Sequence, residues 1–231
     1  MTSVEKTKFE ELRALKVLQL LLPEKYREAY LFEAPDIVDP KMSIGVEVTS
    51  SMGQKAQQGH ARVGELTGKK PGNLTKRNIS QIDAEGIDAF LSPAGDVFAV
   101  FTHWGDLHDL AKAYHSKTET LNKPHFSVKR ENNLFIIAWL IDQGELEFGI
   151  RNLTIDRVVE SKCDGRIRFD NVYVLTERLL LELGSGKKAI NKHWLSESQM
   201  SSINNSAFED IFGVSRSEYY GRGHDPIECL E

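Results

Sequence analysis

Pro35-Asp36-Ile37-Val38-Asp39 and, after a short break, Ile44-Gly45-Val46-Glu47-Val48-Thr49 form the stretch on which the reading of this chain turns. Each segment is a short apolar strand candidate that carries an acid. In the second, Val46 and Val48 alternate with Glu47, a period of two that sends the carboxylate to the face opposite the valines. Burying those valines half-buries the strand, and a buried carboxylate needs a partner. Two acids on adjacent strand edges suit a hard divalent cation, which is held by one or two carboxylates together with waters and phosphate oxygens. Asp36 and Glu47 are the expected ligands, with the main-chain carbonyl of Val48 beside them. The plainer reading of Asp36 and Asp39 is a turn, since Asp39-Pro40 favours turn initiation.

Outward from this pair, residues 4–22 read as a helix, with Phe9, Leu12, Leu15, Val17, Leu18, Leu21 and Leu22 near helical spacing and Pro23 ending it. Glu10 and Glu11 lie near its start, where acids are usually solvated; with Glu33 they are further candidates to complete a metal shell. Residues 52–66 are Gln- and Ala-rich and suggest a helix after the second strand. Between Thr67 and Ser80 the chain is basic, with Lys69, Lys70, Lys76 and Arg77 around Pro71-Gly72-Asn73 and no acid among them. That pattern is an exposed loop, or a salt-dependent contact to nucleic-acid phosphates.

Farther on, Val97–Phe101 is a strand or the first turns of a helix. A helix opening at Asp106 or Asp109 runs to Leu121, with Leu107, Leu110, Ala111 and Tyr114 on its buried side. The unbroken apolar run from Leu134 to Ile141 fits a central strand covered on both faces. Another strand spans 167–176, and Leu179 to Leu183 follow it. After Gly184 the chain becomes Ser- and Asn-rich, so a domain over 1–184 with a partly helical extension over 185–231 is expected. His103, His108 and His115 lack the four-residue spacing of a helical zinc pair. Trp104, Trp139 and Trp194 read as packing residues, and Gly184-Ser185-Gly186-Lys187-Lys188 lacks the spacing of a phosphate loop.

With 231 residues, 40% of them hydrophobic and 27% charged, the chain is long enough to bury a sizeable core. No apolar run reaches the roughly 20 residues of a membrane span, and the first residues lack a signal core. Cys163 and Cys229, far apart, read as reduced thiols, so a cytoplasmic protein is expected. A formal net charge of −5 argues against wholesale coating of nucleic acid and leaves room for a local basic groove.

Laid out as helix, acidic strand, acidic strand, helix, the chain resembles the restriction-endonuclease-like, or PD-(D/E)xK, superfamily. The resemblance is carried by Pro35-Asp36 and by Glu47-Val48-Thr49, covers residues 4–66 well, and reaches 97–141 more loosely. It implies an α/β fold: an αβββαβ core with a central mixed sheet flanked by helices. It also implies that Asp36 and Glu47 bind Mg2+ or Mn2+ and that a lysine two residues after the second acid assists the attacking water. Thr49 stands in that lysine's place and carries no charge, so it cannot supply the electrostatic part of the role. Some lineages of the superfamily carry the group on a neighbouring helix, and here Gln54, Lys55 and Lys117 are candidates. Lys112, Lys117, Lys123, Lys129 and Arg130 offer a phosphate-contacting edge instead.

The function expected from the resemblance is metal-dependent hydrolysis of DNA phosphodiesters, with the oligomeric state open and a homodimer among the possibilities. The missing lysine and the acidic net charge motivate the alternative, an inactive copy of the fold that binds or inhibits a protein or nucleic-acid partner, with 185–231 as its docking segment. A metal-binding hydrolase of a non-nucleic substrate is a third reading.

Overall fold

A computed structural model describes residues 3–52, 58–59, 62–63, 65–85, 87–101, 107–138, 146, 166–184, 190–215 and 218. The chain divides into two compact units, Met1–Ser51 with Gly105–Gly223, and Met52–Trp104 with His224–Glu231. In chain order the first unit holds α1 (Ser3–Leu21), α2 (Pro23–Tyr26), β1 (Tyr30–Leu31), β2 (Ile37–Val38) and β3 (Ile44–Ser50). The second unit contributes α3 (Lys76–Glu85), β4 (Ile87–Leu91) and β5 (Val97–Phe101). The first then resumes with α4 (Leu107–Leu121), β6 (Glu131–Ile137), β7 (Asn171–Leu175), β8 (Leu179–Gly184), β9 (Ile190–Trp194) and α5 (Glu197–Phe212). None of the described helices is long and apolar enough to cross a membrane.

The first unit is α/β, built on a seven-stranded mixed sheet in the order β1-β2-β3-β6-β7-β8-β9. β3, β6 and β7 run parallel, and the outer pairs are antiparallel. Parallel neighbours need a crossover, and α4 lies in the one from β3 to β6. One face of the sheet packs Val46, Val48, Phe135, Ile137 and Tyr173 against α1, α2 and α5. The other packs Leu134, Ile136, Val172 and Val174 with Leu110, Tyr114 and Leu121 of α4. Alternate residues of β6 thus fill both cores, which explains its continuous apolar run. Pro23 ends α1 and opens α2, taking a first-turn position where its missing N–H costs nothing.

The sequence expectation of a boundary at 184 differs from this arrangement. β9 pairs with β8, and Leu195, Met200 and Ile203 enter the same core as α1. Lys16 of α1 also meets Asp210 of α5 at 2.7 Å. The Ser- and Asn-rich composition of this segment reflects α5's outer face and its capping box, in which Ser196 and Gln199 exchange bonds and Gly213 closes the helix at φ 67°.

A buried polar knot ties α2 to β6 and β7. Tyr26 and Tyr173, both fully buried, share a hydroxyl bond of 3.1 Å. Asn133 Nδ2 donates to Tyr26 Oη at 3.0 Å and to Glu131 Oε1 at 2.8 Å, while Lys25 pairs with Glu131. Burial and the neighbouring phenol raise the Tyr26 hydroxyl above its usual range, so both tyrosines stay neutral.

In the second unit, β4 and β5 form an antiparallel hairpin. Ile87, Val97 and Ala99 pack with Leu66 into a small core of their own. Residues 97–101 are therefore strand, and Gly95, at φ 77°, makes the preceding turn.

One contact in the first unit allows no side chain. A Cβ on Gly45 would sit 2.5 Å from Pro35 Cγ and 3.0 Å from Lys129 Cγ. Gly45→Ala is expected to destabilise the protein by about 1–3 kcal/mol through overpacking, read as a lower urea midpoint. An unchanged midpoint would show that the Pro35 loop moves freely away from β3.

Candidate active site

Strand register brings the two acids together. Ile37 stands opposite Val46 and Val38 opposite Gly45, so continuing the antiparallel pairing one step sets Asp36 opposite Glu47. Directly opposed residues project to the same face, here the face away from Val46 and Val48. Asp36 Oδ2 accepts a 2.7 Å bond from the Val48 amide, which anchors the carboxylate to β3. Pro35, packed on Gly45, fixes the chain just before it.

Lys117 reaches this point from α4. Leu110, Tyr114 and Leu121 form that helix's buried stripe, and Lys117 falls within it at i+7 from Leu110 and i+3 from Tyr114. Its Nζ meets Glu47 Oε2 at 2.7 Å, with the Glu47 side chain 7% exposed and that of Lys117 25% exposed. A carboxylate this buried requires such a charged partner.

The site is electrostatically crowded. Burial and the neighbouring Glu47 push the Asp36 carboxyl up to about 7, against the Val48 amide and Lys117, which favour its ionised form. Glu11 of α1 is also raised, first by burial and further by Glu10 and Glu47, while Lys117 and Lys8 pull it down. Three acids thus share the field of one lysine. Among the described residues no three His, Cys, Asp or Glu side chains group as a metal cage. The side chains that could hold a divalent ion are the opposed pair Asp36 and Glu47, a number that suits Mg2+, which uses one or two carboxylates and keeps waters.

The remaining sequence candidates fall elsewhere. Asp39 is a turn residue: its carboxylate accepts from the amides of Lys41, Ser43 and Ile44 and from the Ser43 hydroxyl. Those bonds outweigh burial and hold its carboxyl below the usual range. Thr49 follows on the Glu47 face of β3, half-buried and opposite Ile136. Gln54, Lys55, His103, Trp104 and Trp139 lie outside the described residues, whereas Glu33, His108, Lys112 and His115 are exposed. Trp194, expected to pack, is 55% exposed on the edge strand β9.

Lys69, Lys70, Lys76 and Arg77 belong to the second unit. Lys70 is engaged by Asp96 at 2.6 Å. Lys76 and Arg77 are exposed in the first turn of α3, where cations oppose the helix dipole and concentrate positive potential. Thr75 caps this turn, its hydroxyl accepting from the Asn78 amide at 3.2 Å.

No family model, curated protein or solved structure matches this chain.

The raised Asp36 carboxyl gives a pH test. Between its ordinary value of 3.8 and about 7 the folded protein holds a proton that the unfolded chain has released. The metal-free protein therefore loses stability as pH rises through that window. Asp36→Asn removes the loss and keeps an acceptor for the Val48 amide. In urea titrations with chelator it is expected to gain roughly 1–3 kcal/mol over wild type at about pH 8 and far less at about pH 4. An equal difference at both pH values would contradict the assignment.

Proposed function

We propose that this chain is a Mg2+- or Mn2+-dependent nuclease that hydrolyses DNA phosphodiesters at Asp36, Glu47 and Lys117. The observation that carries the reading is the Lys117–Glu47 pair beside Asp36. The resemblance calls for a lysine two residues after the second acid, where Thr49 stands. Lys117 brings a positive charge to the same carboxylate from the crossover helix, which supports a working site over an inactive copy. The element order adds support: helix α1, strands β1 to β3, crossover α4 and parallel β6 follow the αβββαβ order of the restriction-endonuclease-like fold. In sequence, residues 52–104 fall as an insertion between β3 and α4.

Asp36 and Glu47, with the Val48 carbonyl, would hold the divalent ion. Their opposed carboxylates fit it, because a cation offsets both the burial and the repulsion from Glu47 that raise Asp36. When bound, such an ion lowers the pKa of a coordinated water and stabilises charge on the phosphoryl oxygens. Asp36 would hold such an ion as the ionised carboxylate, which the Val48 amide keeps oriented. Lys117, held by Glu47, neutralises charge building on a non-bridging oxygen and orients the attacking water. Thr49, on the same face, offers that water a hydroxyl. Lys76 and Arg77 supply sequence-independent phosphate contacts.

Cleavage of a labelled DNA mixture in Mg2+ or Mn2+ tests this reading. Glu47→Gln, Asp36→Asn and Lys117→Met are each expected to lower the rate by about 100-fold or more, with Lys117→Arg partly retaining it and Thr49→Ala costing about tenfold or less. Wild-type cleavage in Glu47→Ala would remove the assignment, and DNA binding without any cleavage would favour the inactive binding module. Separately, the double change Lys76→Ala and Arg77→Ala is expected to flatten the log–log salt dependence of DNA affinity by a slope of about 2. An unaltered slope would return the two residues to the role of solvated surface charge.

A further inference from the structure

We propose that Tyr30 and Phe32 form a stacking platform for two consecutive unpaired bases of single-stranded DNA, leading the strand to the site at Asp36 and Glu47. This rests on the nuclease reading and names the form of its substrate. β1 is an edge strand of the sheet. Leu31 packs into the core beneath α1, so alternation along the strand sends Tyr30 and Phe32 to the opposite face. Both remain open there, Tyr30 42% and Phe32 44% exposed.

Register connects this face to the acids. Leu31 stands opposite Ile37, and the Phe32 amide donates to the Asp36 carbonyl at 2.8 Å, which sets Phe32 opposite Asp36. Phe32, Asp36 and Glu47 are therefore one row across three neighbouring strands. At about 4.8 Å per strand, the Phe32 backbone lies one spacing from Asp36 and two from Glu47. Along β1, Tyr30 and Phe32 are two residues apart, or about 6.6 Å. That is near twice the 3.4 Å base separation of a duplex strand, the spacing of an extended strand with its bases unstacked.

A positive charge shares the face. The stem of Lys129 lies over Gly45, two residues before Glu47 on the same side of β3. Its Nζ donates to the Ser127 hydroxyl at 3.0 Å, and among the described residues it makes no ion pair, so its charge is available to a phosphate. Two aromatic faces at strand spacing and a nearby cation are the components of a single-strand site, where stacking is indifferent to base identity. A duplex cannot use the platform, since its bases already stack on one another.

The test uses the full chain in chelator, so that nothing is cleaved, and reads fluorescence anisotropy of a labelled single strand, an abasic strand of equal length and a duplex. The single strand is expected to bind wild type about tenfold or more tightly than the abasic strand. Tyr30→Ala with Phe32→Ala should erase that margin, Phe32→Trp should keep it, and duplex affinity should stay level. The abasic comparison needs no mutation, so a poorly folded variant does not decide the outcome. Equal wild-type affinity for normal and abasic strands would overturn the platform, as would an unchanged margin in the double variant. If cleavage is absent while the margin holds, the nuclease reading fails and the platform stands. Cleavage that proceeds with no margin removes the platform alone.

Discussion

Everything in the candidate site depends on the register between β2 and β3. With Ile37 opposite Val46, two apolar side chains enter the core beneath α1 and two carboxylates are sent together to the other face. A slip of β2 by one residue would turn Ile37 out and Asp36 into the core, separating the two carboxylates. β2 has only two residues, too few to hold a register through its own ladder. The register is held instead by the seat of Pro35 on side-chain-free Gly45, by the bond from the Val48 amide to Asp36, and by the Asp39 turn.

That constraint produces an arrangement that is locally unfavourable. Half-buried Asp36 and buried Glu47 repel each other, and Glu11 adds a third acid from α1. Lys117 offsets only part of this, because it forms its close bond with Glu47. A fold selected for stability alone gains nothing from crowding three acids around one lysine. A site that recruits a divalent cation does, since the ion turns the repulsion into ligation. Burial of Asp36, with this crowding added to it, accounts for the expected gain of stability on neutralising the residue in the absence of metal.

Much of this was legible in the sequence, for particular reasons. Glu47 between two valines has one reading as a strand with a buried acid, and the structure buries it. Lys117 stands in the sequence only as one candidate lysine on the helix ending at Leu121, and nothing local says that it joins the buried stripe or which strand that stripe meets. The pairing with Glu47 spans 70 residues and is set by the crossover of α4 from β3 to β6. Glu11 has two readings in the sequence, a solvated acid of a helix start or a further member of the acidic shell, and its neighbours Glu47 and Lys117, which are tertiary, bring it into the field of the site. Residues 185–231 read as peripheral because α5 presents serines and asparagines outward; its inward set, Met200, Ile203, Ala207 and Phe208, is sparse but sufficient to pack. β2 lies inside the strand candidate at 35–39, whereas β1, only two residues long, is below the length at which periodicity carries a signal.

The most direct test of the central claim is a crystal structure of the wild-type protein grown with Mn2+, with the ion located by its anomalous scattering. The account predicts one metal bound by both Asp36 and Glu47 at about 2.0–2.2 Å, with Lys117 beside the shared carboxylate. A site without anomalous density at saturating Mn2+, with Lys117 still closing on Glu47 and Asp36 protonated, would contradict it.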